Sequence, residues 1–396
     1  MTVFNPNFVR NFDKLVKLLD CPASTVGTST SAVAVAMPFQ RKTFYGVGRF
    51  WVFYSDGTNM VFRTSTDDLT WTSATTVRAC DDGKKFSIWF DGTYVHYAYS
   101  AQTDGTALYY CRGLCNSNGT ITWSAEQTAV AGVGGVIYYM PFVSVDSAGY
   151  PWIGYGTASY PYVTKSSTND GTWSTASGFP YQLSTTSDYY TVTPVPLTNQ
   201  KVLAIYVRGS ATVKAKRWDG SSWGSEVATT STTYYDYDYY SAVSVGDDVH
   251  LAFVKTYPWA IIYTKYTYAS NSFGAETTVQ SGVDSTSSPT LSKDSLNNLY
   301  CFWAGSPTAD HIYYKKCVAG TWDASPTDWI NESTDHLTGN AQISCFYQAY
   351  DSYIGLVYMT KTASPYNVKF DFLTITAPPP KPKGTIAIHA KLLGII

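Results

Sequence analysis

The chain of 396 residues has a net charge of −2, and charged residues make up only 14% of it. A near-neutral chain without a basic stripe does not fit a nucleic-acid partner, and no apolar run approaches the ~18 residues of a membrane-spanning helix. Its 34 tyrosines and 12 tryptophans, with abundant Ser and Thr, favour half-buried β-strands over helices. We therefore expect an all-β protein.

The first 22 residues differ from the rest of the chain. Apolar residues recur there at helical spacing, and Asn7 is a suitable N-cap in front of them. They are Phe8, Phe12, Leu15, Val16 and Leu19. The stretch lacks the apolar core of a secretory signal. We expect residues 1–22 to form a short helical docking segment rather than an export signal.

Further along the chain, bulky aromatic residues recur at a nearly constant spacing. The intervals between them are 52, 50, 50, 50 and 49 residues. These marker aromatics are Trp71, Trp123, Trp173, Trp223, Phe273 and Trp322. A period near fifty residues indicates one supersecondary unit that is repeated along the chain.

Each unit is predicted to contain four strands joined by tight turns rich in Asp, Asn and Gly. The second strands are apolar runs, most with a small residue in the middle, at 50–54, 95–99, 152–155, 202–207, 249–254, 299–303 and 353–358. The third strands, most of which end in a basic residue, include 61–63, 109–112, 162–165, 213–216, 262–265 and 312–315. Seven four-stranded sheets arranged radially form a β-propeller.

The seventh unit, residues 342–375, has a predicted third strand at 368–372 but no turn and aromatic residue after it. It therefore lacks an outer strand of its own. Residues 23–31 are placed to supply that strand, and residues 32–39 would then form the inner strand of the first unit. Since this exchange closes the ring, we expect residues 23–376 to form one seven-bladed propeller.

Two predicted turns resemble a known motif. The segments Ser65-Thr-Asp67-Asp-Leu-Thr-Trp71 and Ser167-Thr-Asn169-Asp-Gly171-Thr-Trp173 resemble the Asp-box of sialidase-like (BNR-repeat) propellers. Both are one residue shorter than the family pattern. In that family the motif closes the hairpin between the third and fourth strands, so the resemblance implies the propeller fold. It implies no catalytic residue, because the chain lacks the Phe-Arg-Ile-Pro segment of sialidases and has only eight arginines.

Propellers usually bind ligands at one face, built by the loops that enter the inner strands and the loops that join second and third strands. On this face, the upper face, the predicted loops are rich in tyrosine and aspartate. Aromatic rings suit the C–H face of a sugar, and polar groups fix its orientation. We predict that a glycan or cell-surface polysaccharide is bound by Tyr189, Tyr190, Tyr235, Asp236, Tyr237, Asp238, Tyr257, Trp259, Asp310 and His311. Alternatively, the tyrosines begin inner strands and fill the central channel.

A second alternative is a glycoside hydrolase or polysaccharide lyase on a propeller scaffold. Such enzymes need paired carboxylates, or a His and a Tyr beside a cation that neutralises a uronate. Asp236 and Asp238 lie on one side of a predicted strand, and Asp310-His311 and Asp335-His336 fall on upper-face loops. We expect these histidines to be structural. The expectation is a non-enzymatic protein without catalytic residues, cofactor or metal ion.

The seven cysteines cannot all pair. Cys111 and Cys115 are close enough in sequence to bridge across a turn, whereas Cys301, Cys317 and Cys345 fall on predicted neighbouring strands. A chain of this size has ample core without disulfides. Buried thiols are therefore the first expectation, and one or more disulfides are the alternative.

The C-terminal end leaves the repeat again. Residues 377–383 are predicted to be a stiff proline-rich linker, and residues 384–396 an apolar, strand-like tail. We expect the tail to join a sheet edge of another protein subunit, with packing on its own propeller as the alternative. A purely structural assembly or decoration protein is a further alternative. The low charge, the tail and the start without an export signal look similar to phage or viral surface proteins, which implies an extracellular or virion-surface location.

Overall fold

The computed structural model describes residues 23–187, 191–208, 211–233 and 240–375. Within these residues, seven antiparallel sheets of four main strands each follow one another along the chain. This confirms the predicted seven-bladed β-propeller. The docking segment at residues 1–22, the linker at 377–383 and the tail at 384–396 lie outside the described residues.

The first three blades follow a single initial strand, β1 (Ser24–Ser29). Blade 1 contains β2 (Thr43–Gly46), β3 (Arg49–Ser55), β4 (Asn59–Ser65) and β5 (Thr75–Ala79). After a short 3-10 helix (Gly83–Lys85), blade 2 contains β6 (Phe86–Phe90), β7 (Tyr94–Ser100), β8 (Leu108–Cys115), β9 (Ile121–Trp123) and β10 (Gln127–Val130). Blade 3 contains β11 (Tyr139–Val145), β12 (Pro151–Gly156), β13 (Pro161–Lys165) and β14 (Tyr181–Gln182).

The remaining four blades repeat this order from the inner to the outer strand. Blade 4 contains β15 (Thr191–Pro196), β16 (Val202–Val207), β17 (Thr212–Trp218) and β18 (Val227–Thr232). Blade 5 contains β19 (Tyr240–Val245), β20 (Asp248–Lys255), β21 (Ala260–Thr267), β22 (Ser272–Phe273) and β23 (Thr277–Ser281). Blade 6 contains β24 (Thr290–Lys293), β25 (Leu299–Ala304), β26 (His311–Val318), β27 (Thr321–Trp322) and β28 (Thr327–Asn331). Blade 7 contains β29 (Ile343–Cys345), β30 (Tyr353–Thr360) and β31 (Tyr366–Thr374).

The ring closes as the sequence predicts. Strand β1 pairs antiparallel with β31, with Thr25 opposite Lys369 and Ser29 opposite Tyr366, and thereby becomes the outer strand of blade 7. The indole N–H of Trp71, the first marker aromatic, donates to Ser24 Oγ over 2.9 Å. The two ends of the described chain are therefore joined by a backbone ladder that a side-chain hydrogen bond reinforces.

The predicted inner strand at residues 32–39 is wrong. The inner strand of blade 1 is β2 instead. Two successive backbone hydrogen bonds from β3 reach Lys42 O (from Phe53 N) and Ala34 O (from Ser55 N), so the ladder skips the residues between Ala34 and Lys42. Pro38 lies between these points, and a proline cannot donate to a ladder. Residues 35–41, here called the axial plug, therefore leave the sheet and enter the central channel.

The axial plug fills the channel by contacting the inner strands of several blades. The Phe39 ring stacks on Tyr240 of blade 5, with 5.2 Å between the ring centroids. Gln40 Nε2 donates to Pro141 O of blade 3 over 2.9 Å, and Ser344 Oγ of blade 7 donates to Gln40 O over 2.8 Å. All seven plug residues are buried. The channel is therefore closed by the protein's own backbone and side chains.

The opposite face of the propeller, the lower face, carries the short turns between inner and second strands and the loops between third and outer strands. Arginines there connect adjacent blades. Arg49 donates to Ser117 O, Arg112 to Asn169 O and Arg217 to Tyr268 O, in each case on the next blade. In the turn at residues 65–71, Asp67 Oδ1 accepts from the amides of Leu69 and Thr70. The lower face is thus made of repeated structural contacts.

Six of the seven cysteines are described, and all six are free and buried. Burial raises the pKa of the Cys80 thiol to about 11 and that of Cys115 to about 12. Cys21 lies outside the described residues. The expectation of buried thiols therefore holds for the described part of the chain.

Candidate functional site

Six of the ten predicted ligand-binding residues, Tyr189, Tyr190, Tyr235, Asp236, Tyr237 and Asp238, lie outside the described residues. The other four lie on upper-face loops or at the start of the strands that follow them. Tyr257 and Trp259 belong to the loop between β20 and β21 in blade 5, whereas Asp310 and His311 lie at the start of β26 in blade 6. The described candidates therefore come from two neighbouring blades.

Tyr257 and Trp259 form an aromatic pair at the rim of blade 5. The Tyr257 side chain is 82% exposed, whereas Trp259 is half-buried against the main hydrophobic core. Their ring centroids lie 5.9 Å apart with the planes nearly perpendicular. Because Trp259 is anchored in the core, the pair offers a fixed apolar surface next to solvent. Such surfaces suit the C–H face of a sugar ring.

Asp310 pairs with a residue that lies 26 positions away in the chain, His336. Asp310 Oδ2 lies 2.7 Å from His336 Nδ1, and the other carboxylate oxygen accepts from the Leu337 amide over 2.8 Å. Burial alone would raise the pKa of Asp310, but the hydrogen bonds from His336 and Leu337 outweigh it and lower that pKa. The carboxylate is thus held ionised beside the imidazole.

His311 belongs to a different pair. Its Nδ1 lies 2.8 Å from a carboxylate oxygen of Asp328 in the outer strand β28, and its side chain is only 13% exposed. The His336 side chain is 53% exposed. The sequence places Asp310 and His311 side by side, but the structure directs them to separate partners. Of the two histidines, only His336 presents a largely accessible imidazole.

The Asp310–His336 pair lies on backbone in the left-handed region. Asp310 has a φ of 62°, His336 a φ of 60° and Lys361 a φ of 79°, all in the left-handed region. The Lys361 amide donates to His336 O over 2.8 Å and to Asp335 O over 3.1 Å. Non-glycine residues in this region cost free energy and cluster at functional sites. Three such residues meet here on the upper loops of blades 6 and 7.

Glu332 anchors these loops from below. Its buried carboxylate accepts from Tyr358 Oη over 2.5 Å and from Lys369 Nζ over 2.8 Å. Its backbone amide donates to Asp310 O over 2.9 Å, and its carbonyl accepts from the His336 amide over 2.7 Å. One residue therefore fixes the backbone on both sides of the Asp310–His336 pair. Glu332, Tyr358 and Lys369 were not among the predicted site residues, since nothing in their spacing marks them.

Pairs of tyrosine and glutamate also occur elsewhere, and they are structural. Tyr97 Oη donates to Glu126 over 2.6 Å, and Tyr206 Oη donates to Glu226. Tyr97 and Tyr358 are buried, and burial is the main reason that their pKa values lie well above the usual range. Their hydroxyls are therefore poor nucleophiles and instead tie second strands to the outer parts of the blades.

The described residues contain no group of three or more His, Cys, Asp or Glu side chains that could hold a metal ion. The same part of the chain has no helix long and apolar enough to cross a bilayer.

Comparisons with known proteins find likeness in structure but not in sequence. No family model matches the chain, and no curated protein matches it. The polysaccharide lyase Uly1 superimposes with a TM-score of 0.55 at 10% identity, covering 87% of this chain and 91% of the lyase. A protein of unknown function from Dyadobacter fermentans gives 0.50 at 10% identity, covering 89% and 99%. A variant of the NanB sialidase from Streptococcus pneumoniae gives 0.50 at 11% identity, covering 91% and 72%.

These similarities support the sialidase-like propeller fold. They also correct one expectation: the prediction of a non-enzymatic protein is wrong, because the solved structures that resemble this chain include a polysaccharide lyase and a sialidase. The identities of 10% and 11% establish the shared fold alone. The chemistry has to be argued from the residues of this chain.

Proposed function

We propose that this propeller is a carbohydrate-active enzyme that holds a polysaccharide on its upper face and cleaves it by proton abstraction. The observation that carries the proposal is the Asp310–His336 pair, in which an accessible imidazole is oriented by a carboxylate on strained backbone. The exposed ring of Tyr257 lies on the same face, one blade away. Together they provide a reactive group and a surface for sugar rings.

His336 has the features of a general base. Asp310 accepts the hydrogen bond from Nδ1–H, which leaves the lone pair of Nε2 free to take a proton. The carboxylate also stabilises the imidazolium that forms, as in other His–Asp pairs. Positioned bases of this kind accelerate proton transfer by roughly 10²–10⁴-fold.

The chemistry that suits a single histidine base is β-elimination on a uronic acid polymer. His336 would take the proton on the carbon next to the sugar carboxylate, and the electron pair of that C–H bond would form a carbon–carbon double bond. The glycosidic C–O bond would break, and the departing oxygen would take a proton from solvent. The products are an unsaturated uronate and a chain with a free hydroxyl.

Such an elimination also needs a cation that neutralises the sugar carboxylate. Lys361 is the candidate, because its backbone is bound to His336 and its side chain forms no salt bridge within the described residues. A glycoside hydrolase would instead need two available carboxylates. Of the neighbouring carboxylates, Glu332 is buried and bonded to Tyr358 and Lys369, and Asp335 pairs with Lys369 over 3.3 Å. This favours elimination over hydrolysis.

We also propose how the protein contacts its glycan, where other subunits attach and where the protein is located. Glycan contacts by Tyr257 and Trp259 would orient the polymer. Attachment of other subunits through residues 384–396 and a place outside the cell or on a virion surface stay predictions.

The test is a panel of uronate-containing and neutral polysaccharides, assayed for ultraviolet absorbance of the unsaturated product and for new reducing ends. We expect elimination of at least one uronate polymer. His336→Gln should lower kcat/KM by about 10²–10⁴-fold, and Lys361→Met should raise KM. The matched control is His250→Gln, a change in strand β20 of blade 5. Absence of product from every uronate polymer, or full activity of His336→Gln, would contradict the proposal.

A further inference from the structure

Two adjacent basic residues lie near the centre of the propeller: Arg41, the last residue of the axial plug, and Lys42, which follows it. Arg41 is only 3% exposed, and Lys42 is fully buried. Within the described residues, no carboxylate forms a salt bridge with either of them. Unpaired buried charges are costly. Each of the two residues must therefore be compensated in another way.

Lys42 is compensated by neutral acceptors. Its Nζ donates to Gln40 Oε1 over 3.0 Å, to Gly83 O over 2.8 Å and to Phe86 O. These three acceptors match the three N–H bonds of an ammonium group. Burial also lowers the pKa of Lys42 well below its usual range, so this side chain can also give up its charge.

Arg41 is compensated less completely. A guanidinium does not lose its proton in proteins. Its Nη atoms donate to neutral groups, such as Ser241 Oγ at 3.3 Å and Cys345 O at 3.3 Å, and it lies 5.4 Å from the centre of the Tyr347 ring. Among the described residues, nothing accepts a hydrogen bond from its buried Nε–H. A permanent positive charge thus lies at the axis with one donor unsatisfied.

Arg41 lines a small cavity of about 10 Å³. Among the described residues it is the only charged one in the lining, and the walls are mainly aromatic, including Trp89, Tyr347 and Tyr350. Trp89 lies near the end of β6, and Tyr347 follows β29, so the cavity lies toward the lower face. A volume of this size holds about one water-sized particle.

We propose that this cavity binds a small inorganic anion, such as chloride, which accepts the Nε–H of Arg41 and neutralises the buried charge. A water molecule could accept the hydrogen bond but would leave the charge uncompensated. An anion would accept the hydrogen bond and also neutralise the charge. The positively polarised edges of aromatic rings are compatible with an anion. The site is distinct from the upper-face pair Asp310–His336 and does not depend on the proposed enzymatic activity.

The test uses chloride as the probe. Thermal unfolding is measured at constant ionic strength while sodium chloride replaces sodium gluconate, whose anion is too large for the cavity. A ligand that binds only the folded state raises Tm with its concentration. We expect a rise of a few degrees in the wild type and in the control Arg112→Met, and no rise in Arg41→Met. An equal response in Arg41→Met, or no response in the wild type, would overturn the proposal.

A second measurement covers the case in which Arg41→Met does not fold. Crystals of the wild-type chain soaked in sodium bromide should show an anomalous peak within hydrogen-bonding distance of Arg41 Nε. Anomalous peaks elsewhere with none at Arg41 would contradict the assignment.

Discussion

The lower and upper faces of this propeller are built in different ways. The lower face repeats its contacts from blade to blade, as with the arginines that bond to carbonyls of the next blade. The upper face repeats little, and its loops carry the exposed Tyr257, the strained Asp310–His336 pair and the axial plug. The difference indicates that the repeat provides stability, whereas the departures from it provide chemistry and close the channel.

The largest stability effect is expected at the axial plug. Phe39→Ala removes a buried ring that stacks on Tyr240 and Phe142, so we expect a loss of about 3–5 kcal/mol in the free energy of unfolding. Urea denaturation followed by tryptophan fluorescence measures it. A loss below about 1 kcal/mol would mean that the plug contributes little to the stability of the core.

The second effect is a pH dependence of stability that comes from His250 in strand β20. Burial, with Lys265 and Lys293 nearby, lowers the pKa of His250 to about 4. Since the unfolded residue titrates near ~6.5, the unfolded state takes up the proton first as the pH falls. The stability that neutral His250 contributes to the folded state, at most about 3 kcal/mol, is fully present above pH ~6.5 and is lost between pH ~6.5 and ~4.

Urea denaturation at several pH values checks this expectation. His250→Gln should lose less stability than the wild type as the pH falls through that window. Part of the pH dependence should remain in the variant, because burial also lowers the pKa of His96. A variant with an unchanged slope would show that His250 does not control the dependence.

A smaller effect separates the upper face from the core. Tyr257→Ala removes an exposed ring, so stability should change by less than about 0.5 kcal/mol. Its contact with a sugar should be lost, which we expect to weaken polysaccharide binding about tenfold, equivalent to ~1.4 kcal/mol. Calorimetry with the best polymer from the panel measures it. Unchanged affinity would place the binding surface elsewhere.

The smallest effect is expected on the lower face. Arg112→Met removes two solvent-exposed hydrogen bonds, to Asn169 O and Asp170 O, which should cost about 1 kcal/mol and leave activity unchanged. A large loss of activity in this variant would break the division between the two faces.

The fold could be predicted because its information is local and repeated. The second strands are mainly apolar runs, and the marker aromatics recur at almost fixed intervals, so the count of seven blades and the outer strand β1 followed directly. The exception was residues 32–39, where the apolar run around Met37 and Phe39 looks like a strand. This segment leaves the sheet instead, because Pro38 cannot donate to the ladder and the buried side chains fill the central channel.

The site was less predictable because its partners are distant in sequence and lie on irregular loops. Asp310 and Asp335 each have a histidine as chain neighbour, yet the pair that forms is Asp310 with His336. Asp310 and His336 both lie in the left-handed region, where the backbone turns, so the side chains of sequence neighbours are directed to different partners. The role of Lys361 follows from its backbone contacts and has no signature in the sequence.

We propose that the upper face carries the chemistry. A crystal structure of His336→Gln with an oligosaccharide of the best uronate polymer tests this. We expect a sugar ring beside the residue at position 336, with its carboxylate near Lys361 and a neighbouring ring toward Tyr257. An oligosaccharide bound only on the lower face, or on the upper face away from Asp310, would contradict it.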